Sequence, residues 1–252
     1  AIGRNNIAQG EKSTAIGAYN GADGIGSTVI GVENIAEGEY SILLGTKNKG
    51  TLQATYVQGL GSYNEIKAAF SGAYGHKNMI TEKAHHSFAL GNETLVEAPF
   101  AIAIGDKTKV SHERSIALGS GSITGNVHNG DDAKTFTIHT GSRVRCYTYA
   151  GQAIASNGTI SVGSKNKERQ IHHVAAGSVM ATSTDAVNGS QLWTIKDIME
   201  ELAKEVVNGR AAMLEQNKKI DESKQAIKVH KETIENHKKD MDKFMANNKK
   251  TI

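Results

Sequence analysis

A short motif that ends in glycine recurs through the first half of this chain at an almost constant spacing. In nine copies an apolar or small pair precedes the glycine, and consecutive copies lie 14 residues apart except for two steps of 16. The nine glycines are Gly3, Gly17, Gly31, Gly45, Gly61, Gly75, Gly91, Gly105 and Gly119. A period this short and regular is typical of arrays in which one small unit stacks on the next. It favours a repetitive surface over an enzyme.

The length of the period limits what one repeat can form. Fourteen residues extend over about 46 Å, which is room for two short strands and two turns but too little for a helix and a strand. Each repeat is therefore predicted to form one coil of a parallel β-roll. Asn follows three residues after the first six glycines, from Asn6 to Asn78, and since Gly and Asn adopt positive φ at low cost, we expect both at the corners. The side chains expected to stack inside as an aliphatic ladder are Ile16, Ile30, Leu44 and Leu90.

A second pattern begins at Leu192. Of the 27 glycines, only Gly209 lies beyond that residue. Residues at spacings of three and four then continue to Thr251, and this heptad pattern predicts a left-handed coiled coil. The first core position of each heptad is mostly apolar, whereas the second becomes polar, at Gln216, Ser223, His230 and His237. Polar layers cost stability, and their best-attested use is to fix register and oligomer number.

Together these patterns predict a mixed fold of β-structure and coiled coil. Residues 1–119 form the roll, 120–160 a β insertion, 161–191 the last roll turn and a neck, and 192–252 a stalk fragment. Within the insertion, alternating residues predict strands at Thr135–His139 and Val144–Tyr149, and Asn129-Gly130 is a tight-turn signal. Ser161-Val162-Gly163 then restores the roll pattern.

The segment from Ser161 to Leu192 resembles the neck of trimeric autotransporter adhesins. It contains the Arg-Gln-Ile, Val-Ala-x-Gly, Thr-Asp-Ala-Val-Asn and Gln-Leu elements of that neck in the same order. The candidate neck residues are Arg169, Gln170, Ile171, Val174, Gly177, Asp185, Asn188 and Gln191. The 14-residue repeats upstream resemble the YadA-like head of the same family.

This resemblance implies a homotrimer on the outer membrane of Gram-negative bacteria. It implies a head of left-handed parallel β-rolls, a neck, and a stalk that is a parallel left-handed trimeric coiled coil. The chain begins inside a repeat and ends inside a heptad, so we interpret it as a fragment whose C-terminal membrane anchor is absent. The insertion before the neck and the polar layers of the stalk are most similar to Eib-type members, which bind immunoglobulin Fc.

Three functions remain open at this point. The first hypothesis is an adhesin whose stalk binds immunoglobulin Fc, and the second is one whose head binds extracellular matrix. The third is a spacer that only holds another part away from the cell. We expect an antibody site between about Met213 and Phe244, partly because the roll has no obvious outward aromatic cluster. The candidate partner-binding residues are Lys218, Glu222, Lys228, Glu232 and Lys239.

Motifs for catalysis, cofactors or metals are weak in this sequence. No nucleophile elbow or paired carboxylates stand out, so we predict no enzyme, no cofactor and no metal site. Adjacent histidines occur at His85-His86 and His172-His173, but neighbouring residues on a strand point to opposite faces, which favours surface or packing roles. The net charge of +3 is dispersed, so nucleic acid is not an expected partner. A single cysteine, Cys146, excludes an internal disulfide.

Overall fold

Each coil of the roll offers the next coil the same row of backbone hydrogen-bonding groups. The computed structural model describes residues 1–130 and 134–248. Within them, the strands that contain or lead up to the repeat glycines lie parallel in one ten-stranded sheet, here called the long sheet. Its strands are β1 (Ile2–Arg4), β3 (Thr14–Ala18), β5 (Thr28–Val32), β7 (Ile42–Thr46), β9 (Gln58–Ser62), β11 (Gly72–His76), β13 (Phe88–Asn92), β15 (Ile102–Asp106), β17 (Ile116–Leu118) and β20 (Ile160–Ser161).

Strands of two residues form a second, eight-stranded parallel sheet, here called the short sheet. Its strands are β2 (Ile7–Ala8), β4 (Gly21–Ala22), β6 (Ile35–Ala36), β8 (Lys49–Gly50), β10 (Glu65–Ile66), β12 (Met79–Ile80), β14 (Leu95–Val96) and β16 (Lys109–Val110). A long strand, a corner, a short strand and a turn make one coil. About eight such coils stack, which confirms the predicted parallel β-roll.

The repeat glycines form a column across the long sheet. Gly17 pairs with Gly31, Gly31 with Gly45, and Gly45 with Gly61. At Gly45 φ is 121°, and an added Cβ would collide with the carbonyl oxygen of Gly61. Because both the backbone conformation and the approach of the next coil exclude a side chain, glycine recurs in every coil.

The two longer repeats keep the register by enlarging one turn. The extra turns are Leu52–Gln53 and Glu82–Lys83, each placed before a buried alanine. Ile42 still pairs with Gln58 in the parallel ladder. The steps of 16 residues are therefore absorbed at a corner, and the sheets continue without a break.

The core of the roll is built from the residue two positions before each glycine. Ala15, Val29 and Leu43 are fully buried, whereas Ile30 is 39% exposed. The prediction of an inward aliphatic ladder is therefore wrong. The side chains predicted to stack inside lie instead on the outer face of the long sheet: Ile16, Ile30, Leu44 and Leu90. Successive strand residues alternate between faces, and the narrow interior receives the smaller member of most adjacent apolar pairs.

The repeated asparagines are core residues, and the predicted positive φ lies elsewhere. Asn34 and Asn48 are buried, and the Oδ1 atom of Asn34 accepts hydrogen bonds from the backbone N–H (3.0 Å) and Nδ2 (2.9 Å) of Asn48. The residue before each buried asparagine takes the left-handed conformation, as at Lys47 (φ 55°) and Tyr63 (φ 56°). The corner is thus correctly predicted, but the residue that carries its strain is not.

The insertion contains a two-stranded antiparallel hairpin of β18 (Thr135–Thr140) and β19 (Arg143–Thr148). Both predicted strands exist, with ends shifted by one residue. Gly141 (φ 59°) makes the hairpin turn, so the Asn129-Gly130 signal does not mark it, and residues 131–133 lie outside the described residues. After the hairpin, β20 pairs with β17 in parallel and rejoins the long sheet, as predicted.

Contact clustering divides the chain into two units. The first comprises Ala1–His173 with Ser178–Thr184, and the second comprises Val174–Gly177 with the region from Asp185 onward. The second unit is dominated by one helix, α1 (Gly189–Asn248), of 60 residues, which is about 90 Å at 1.5 Å per residue. The helix begins three residues before the predicted stalk. The last predicted seam residue, Thr251, lies outside the described residues.

Candidate interaction surfaces

One corner of the roll carries an uninterrupted column of stacked rings, here called the aromatic corner. Its members are Tyr40, Tyr56, Phe70, His86 and Phe100. Successive ring centroids lie 4.8–5.2 Å apart, with planes within 22° of parallel. All five residues have φ between 53° and 57°, so one left-handed position per coil projects a ring outward.

The ends of the aromatic corner are closed. An added Cβ on Gly26 would lie 2.8 Å from the ring of Tyr40, and the Arg114 guanidinium stands 5.6 Å from the ring centroid of Phe100. Since the ring faces cover one another, the edges and the tyrosine hydroxyls meet the solvent. Tyr56 and Phe70 are each 52% exposed.

The aromatic corner overturns the expectation that the roll has no outward aromatic cluster. The signal in the sequence is a ring nine residues after the repeat glycine, as at Tyr40 and Phe70, or eleven after it in the longer repeats, as at Tyr56 and His86. The rings are 14 or 16 residues apart, so only the stacking of coils brings them together. A groove of about 430 Å³ runs beside them and is lined on its other side by residues that include Phe88.

The outer face of the long sheet is a second apolar surface. It presents one side chain per coil from the column just before the glycines, and Leu60, Leu90 and Leu118 are each more than two-fifths exposed. Tyr74 continues the column and donates its hydroxyl to Gln58 Oε1 at 2.5 Å. A contiguous apolar row of this length on a single chain is typical of an interface.

A third face of the roll is charged and internally paired. At the corner beside the asparagines, Lys47 Nζ lies 3.5 Å from Glu33 and 5.4 Å from the ring centroid of Tyr63. The negative charge of Glu33, followed by Tyr63, raises the pKa of Lys47. On the short sheet, Glu97 accepts a hydrogen bond from Ser111 Oγ (2.7 Å), which together with Lys109 lowers its pKa. These groups are solvated pairs and provide no concentrated patch of one charge.

Arg169 closes the neck end of the roll. Its Nη1 atom donates to Ser122 Oγ (3.0 Å) and to the Val162 carbonyl, and its Nη2 atom donates to the Ser120 carbonyl. The guanidinium also lies 3.4 Å from where a Cβ on Gly119 would stand. A planar fork with five donors suits such a set of oxygen acceptors, so Arg169 takes part of the place that another coil would fill.

The start of the helix is fixed by a reciprocal pair, Asn188 and Gln191. Asn188 Oδ1 accepts from the Gln191 backbone N–H (3.3 Å), and Gln191 Oε1 accepts from the Asn188 backbone N–H (3.2 Å). This is a capping box, which satisfies donors that a helix end leaves free. Gln191 also bonds both backbone groups of Gly177, and Asn188 Nδ2 bonds the Val174 carbonyl at 3.1 Å.

The other candidate neck residues are less constrained. Asp185 packs beside Gly177, where an added Cβ would lie 2.8 Å from the Cβ of Asp185. Gln170 and Ile171 are exposed. The structure thus brings together Gln191, Asn188, Val174 and Gly177, while Arg169 acts on the roll. The role of the whole set as a neck motif stays a prediction.

Every residue of α1 from Leu192 to Asn247 is exposed in the single chain. Ser223 Oγ bonds the Lys219 carbonyl at 2.9 Å, within its own helix. The four polar layer residues and the five candidate partner-binding residues are exposed side chains on this helix: Gln216, Ser223, His230, His237, Lys218, Glu222, Lys228, Glu232 and Lys239. Three apolar residues outside the predicted seam share one heptad position: Trp193, Val207 and Leu214.

Two family models match this chain. The YadA head domain repeat matches residues 1–20, 22–47 and 98–122, and the coiled stalk of trimeric autotransporter adhesin matches residues 170–213. Autotransporter adhesin BtaE of Brucella suis biovar 1 (strain 1330) is 53% identical over 57 residues, which cover 23% of this chain. That match spans only 7% of the length of the relative. Among solved structures, the C-terminal YadA-like domain of BPSL2063 from Burkholderia pseudomallei is similar at 30% identity and a TM-score of 0.38, covering 48% of this chain and 54% of that one.

These matches support the assignment of the chain to the trimeric autotransporter adhesins. Members of this family are non-enzymatic adhesins, anchored in the outer membrane and exposed at the bacterial surface, which is accordingly the location of this chain. Across residues 1–130 and 134–248, no helix is long and apolar enough to cross a membrane. In the same ranges, no group of three or more His, Cys, Asp or Glu residues is placed to hold a metal ion.

Proposed function

We propose that this chain is part of a homotrimeric surface adhesin that binds a host macromolecule through its head. The aromatic corner carries this proposal, because five stacked rings form an exposed apolar strip that the fold of one chain leaves uncovered. Exposed apolar strips with polar surroundings are typical of binding surfaces, and aromatic side chains contribute most of the energy at such surfaces. Extracellular matrix is the class of host partner that fits this reading.

The homotrimer is supported by two surfaces that a single chain leaves open. The outer face of the long sheet exposes an apolar row, and the helix exposes its whole seam from Leu192 onward. A helix this long with an exposed apolar seam is stable only against partner helices. The family name supplies the number three.

Binding of immunoglobulin Fc by the stalk is the second candidate function. The observation that favours it is the exposed position of Val207 and Leu214, which lie outside the predicted seam near the charged candidate Lys218. Apolar side chains on the outside of a coiled coil are available to a partner, and neighbouring charges set its orientation. The Eib-like features of the sequence point in the same direction.

The two candidates are separated by two matched variants of the whole chain. The head variant, Tyr56→Ser with Phe70→Ser, interrupts the aromatic corner, and the stalk variant, Leu214→Ser with Lys218→Glu, changes only outward positions of the helix. Each protein is immobilised and exposed to serum and to purified matrix proteins. We expect the head variant to lose bound matrix protein and the stalk variant to keep it. Antibody heavy chain lost only by the stalk variant supports Fc binding, and a wild-type chain that retains nothing contradicts both and favours a spacer.

A further inference from the structure

Two adjacent histidines meet at the aromatic corner with their nitrogens facing each other. The Nδ1 atoms of His85 and His86 are 3.0 Å apart. The sequence argument placed neighbouring residues on opposite faces of a strand, and it fails here because both residues stand in a turn. His86 has φ of 57°, and the turn brings both rings to the same side of the roll.

Both imidazole rings are held in place by their neighbours. His86 is stacked between Phe70 (4.8 Å) and Phe100 (5.2 Å). The ring of His85 meets the ring of Phe100 edge to face, at 5.2 Å and 86°. Both histidines are exposed, so the paired nitrogens are oriented in advance and open to solvent, which lowers the cost of capturing a ligand.

Two nitrogens this close need a cation or a shared hydrogen between them. A neutral imidazole has one N–H and one lone pair, so two Nδ1 lone pairs at 3.0 Å repel each other. In the absence of a ligand, one ring donates its Nδ1–H to the other. A metal ion can replace that hydrogen when the donor ring shifts to the tautomer that carries its hydrogen on Nε2, and no proton is then released.

We propose that His85 and His86 form a bidentate site for one first-row transition-metal ion, with Cu(II) bound in preference to Ni(II) or Zn(II). With metal–nitrogen bonds of about 2.0 Å, nitrogens 3.0 Å apart subtend an angle of about 97° at the ion. That value is near the right angle of a square-planar site and well below the tetrahedral angle that Zn(II) prefers. Imidazole ligands and the general affinity order also favour Cu(II). Water fills the other positions, because the pair provides only two ligands.

The test uses the whole chain and Cu(II) itself. Calorimetric titration compares the wild type with His85→Phe and His86→Phe, since phenylalanine keeps a ring in the stack, as at Phe70. The matched control replaces His172 and His173, whose ring centroids lie 6.3 Å apart, with phenylalanine. We expect one Cu(II) per chain to be lost, or its affinity to fall at least tenfold, in each of the first two variants, and the control to bind as the wild type does.

A second measurement needs no variant to fold. With the histidine side chains labelled for NMR, substoichiometric Cu(II) should broaden the resonances of His85 and His86 before those of the other histidines. Broadening that begins elsewhere contradicts the proposal. The same conclusion follows if both phenylalanine variants, shown to be folded by circular dichroism, titrate like the wild type.

Discussion

At the scale of single residues, the buried asparagines have the most demanding environment in the roll. Asn48 is 1% exposed, and its Nδ2 atom donates to Asn34 Oδ1 (2.9 Å), the Leu44 carbonyl (3.1 Å) and the Gly61 carbonyl (2.9 Å). Its Oδ1 atom accepts from both the backbone N–H and Nδ2 of Asn64. One side chain therefore links three successive coils, and it satisfies polar groups that the interior would otherwise leave without partners.

We predict that Asn48→Ala destabilises the roll by about 3 kcal/mol, because several buried polar groups lose their partner at once. Asn48→Thr should cost about half as much, since Thr94 occupies the equivalent place and its Oγ1 and backbone N–H both donate to Asn78 Oδ1. The measurement is chemical denaturation followed by circular dichroism below 220 nm and by tyrosine fluorescence. The exposed neighbour Asn5 provides the control, and equal losses for Asn5→Ala and Asn48→Ala contradict a ladder role.

At the scale of elements, neighbouring coils are also tied together on the outside by side chains such as Glu97. Glu97 follows β14, and it accepts from Ser111 Oγ (2.7 Å) and pairs with Lys109 Nζ (3.1 Å), both one coil further along. These bonds favour the charged form, so the pKa of Glu97 is lowered. Because the folded pKa lies below the unfolded value of about 4.5, the contribution to stability is present above that pH and is lost as the pH falls through the folded value.

Removal of the main hydrogen bond should therefore raise the pKa of Glu97. We expect Ser111→Ala to move it toward the unfolded value, with little effect on stability at neutral pH because the site is exposed. The readout is an NMR titration of the Glu97 side-chain carbon. Ser142→Ala, in the turn of the hairpin, is the control and should leave the titration unchanged. An unchanged midpoint in Ser111→Ala would assign the shift to Lys109 instead.

At the scale of the whole molecule, two kinds of apolar surface are available for assembly. The helix carries its most continuous apolar seam from Leu192 to Val206, followed by polar second-core positions that begin at Gly209. The roll carries the outer row of its long sheet, which includes Leu60 and Leu90. The seam follows the heptad pattern that selects partner helices, whereas the row on the roll has no such register device.

A chain that ends at Gln191 should therefore associate only weakly. Light scattering at micromolar concentration is expected to give a mass close to one subunit, against a trimer for the full chain. Gln191 is retained because its side chain caps the helix start and binds Gly177. If the shortened chain remains a stable trimer, the contacts between rolls are sufficient and the stalk is not the main source of assembly.

The sequence by itself determined the period, the strands and the helix. Glycine at every fourteenth or sixteenth position allows one chain path, because Gly45 needs both its positive φ and its missing side chain. Heptad spacing likewise determined α1, and Asn188 with Gln191 is a capping pattern readable from local sequence. These features depend on residues close together in the chain, so a linear pattern contains them.

Only the tertiary structure decided which side chains face inward and which surfaces they build. Ala15 and Ile16 are both apolar, and the choice of the smaller one for the interior depends on the distance between two sheets that no local pattern reports. Tyr56 meets Phe70 only when coils stack in register. Arg169 reaches Ser122 across 47 residues of sequence. Such contacts arise from the stacking of coils, and a side chain's partner is then set by its position within the coil and not by its neighbours along the chain.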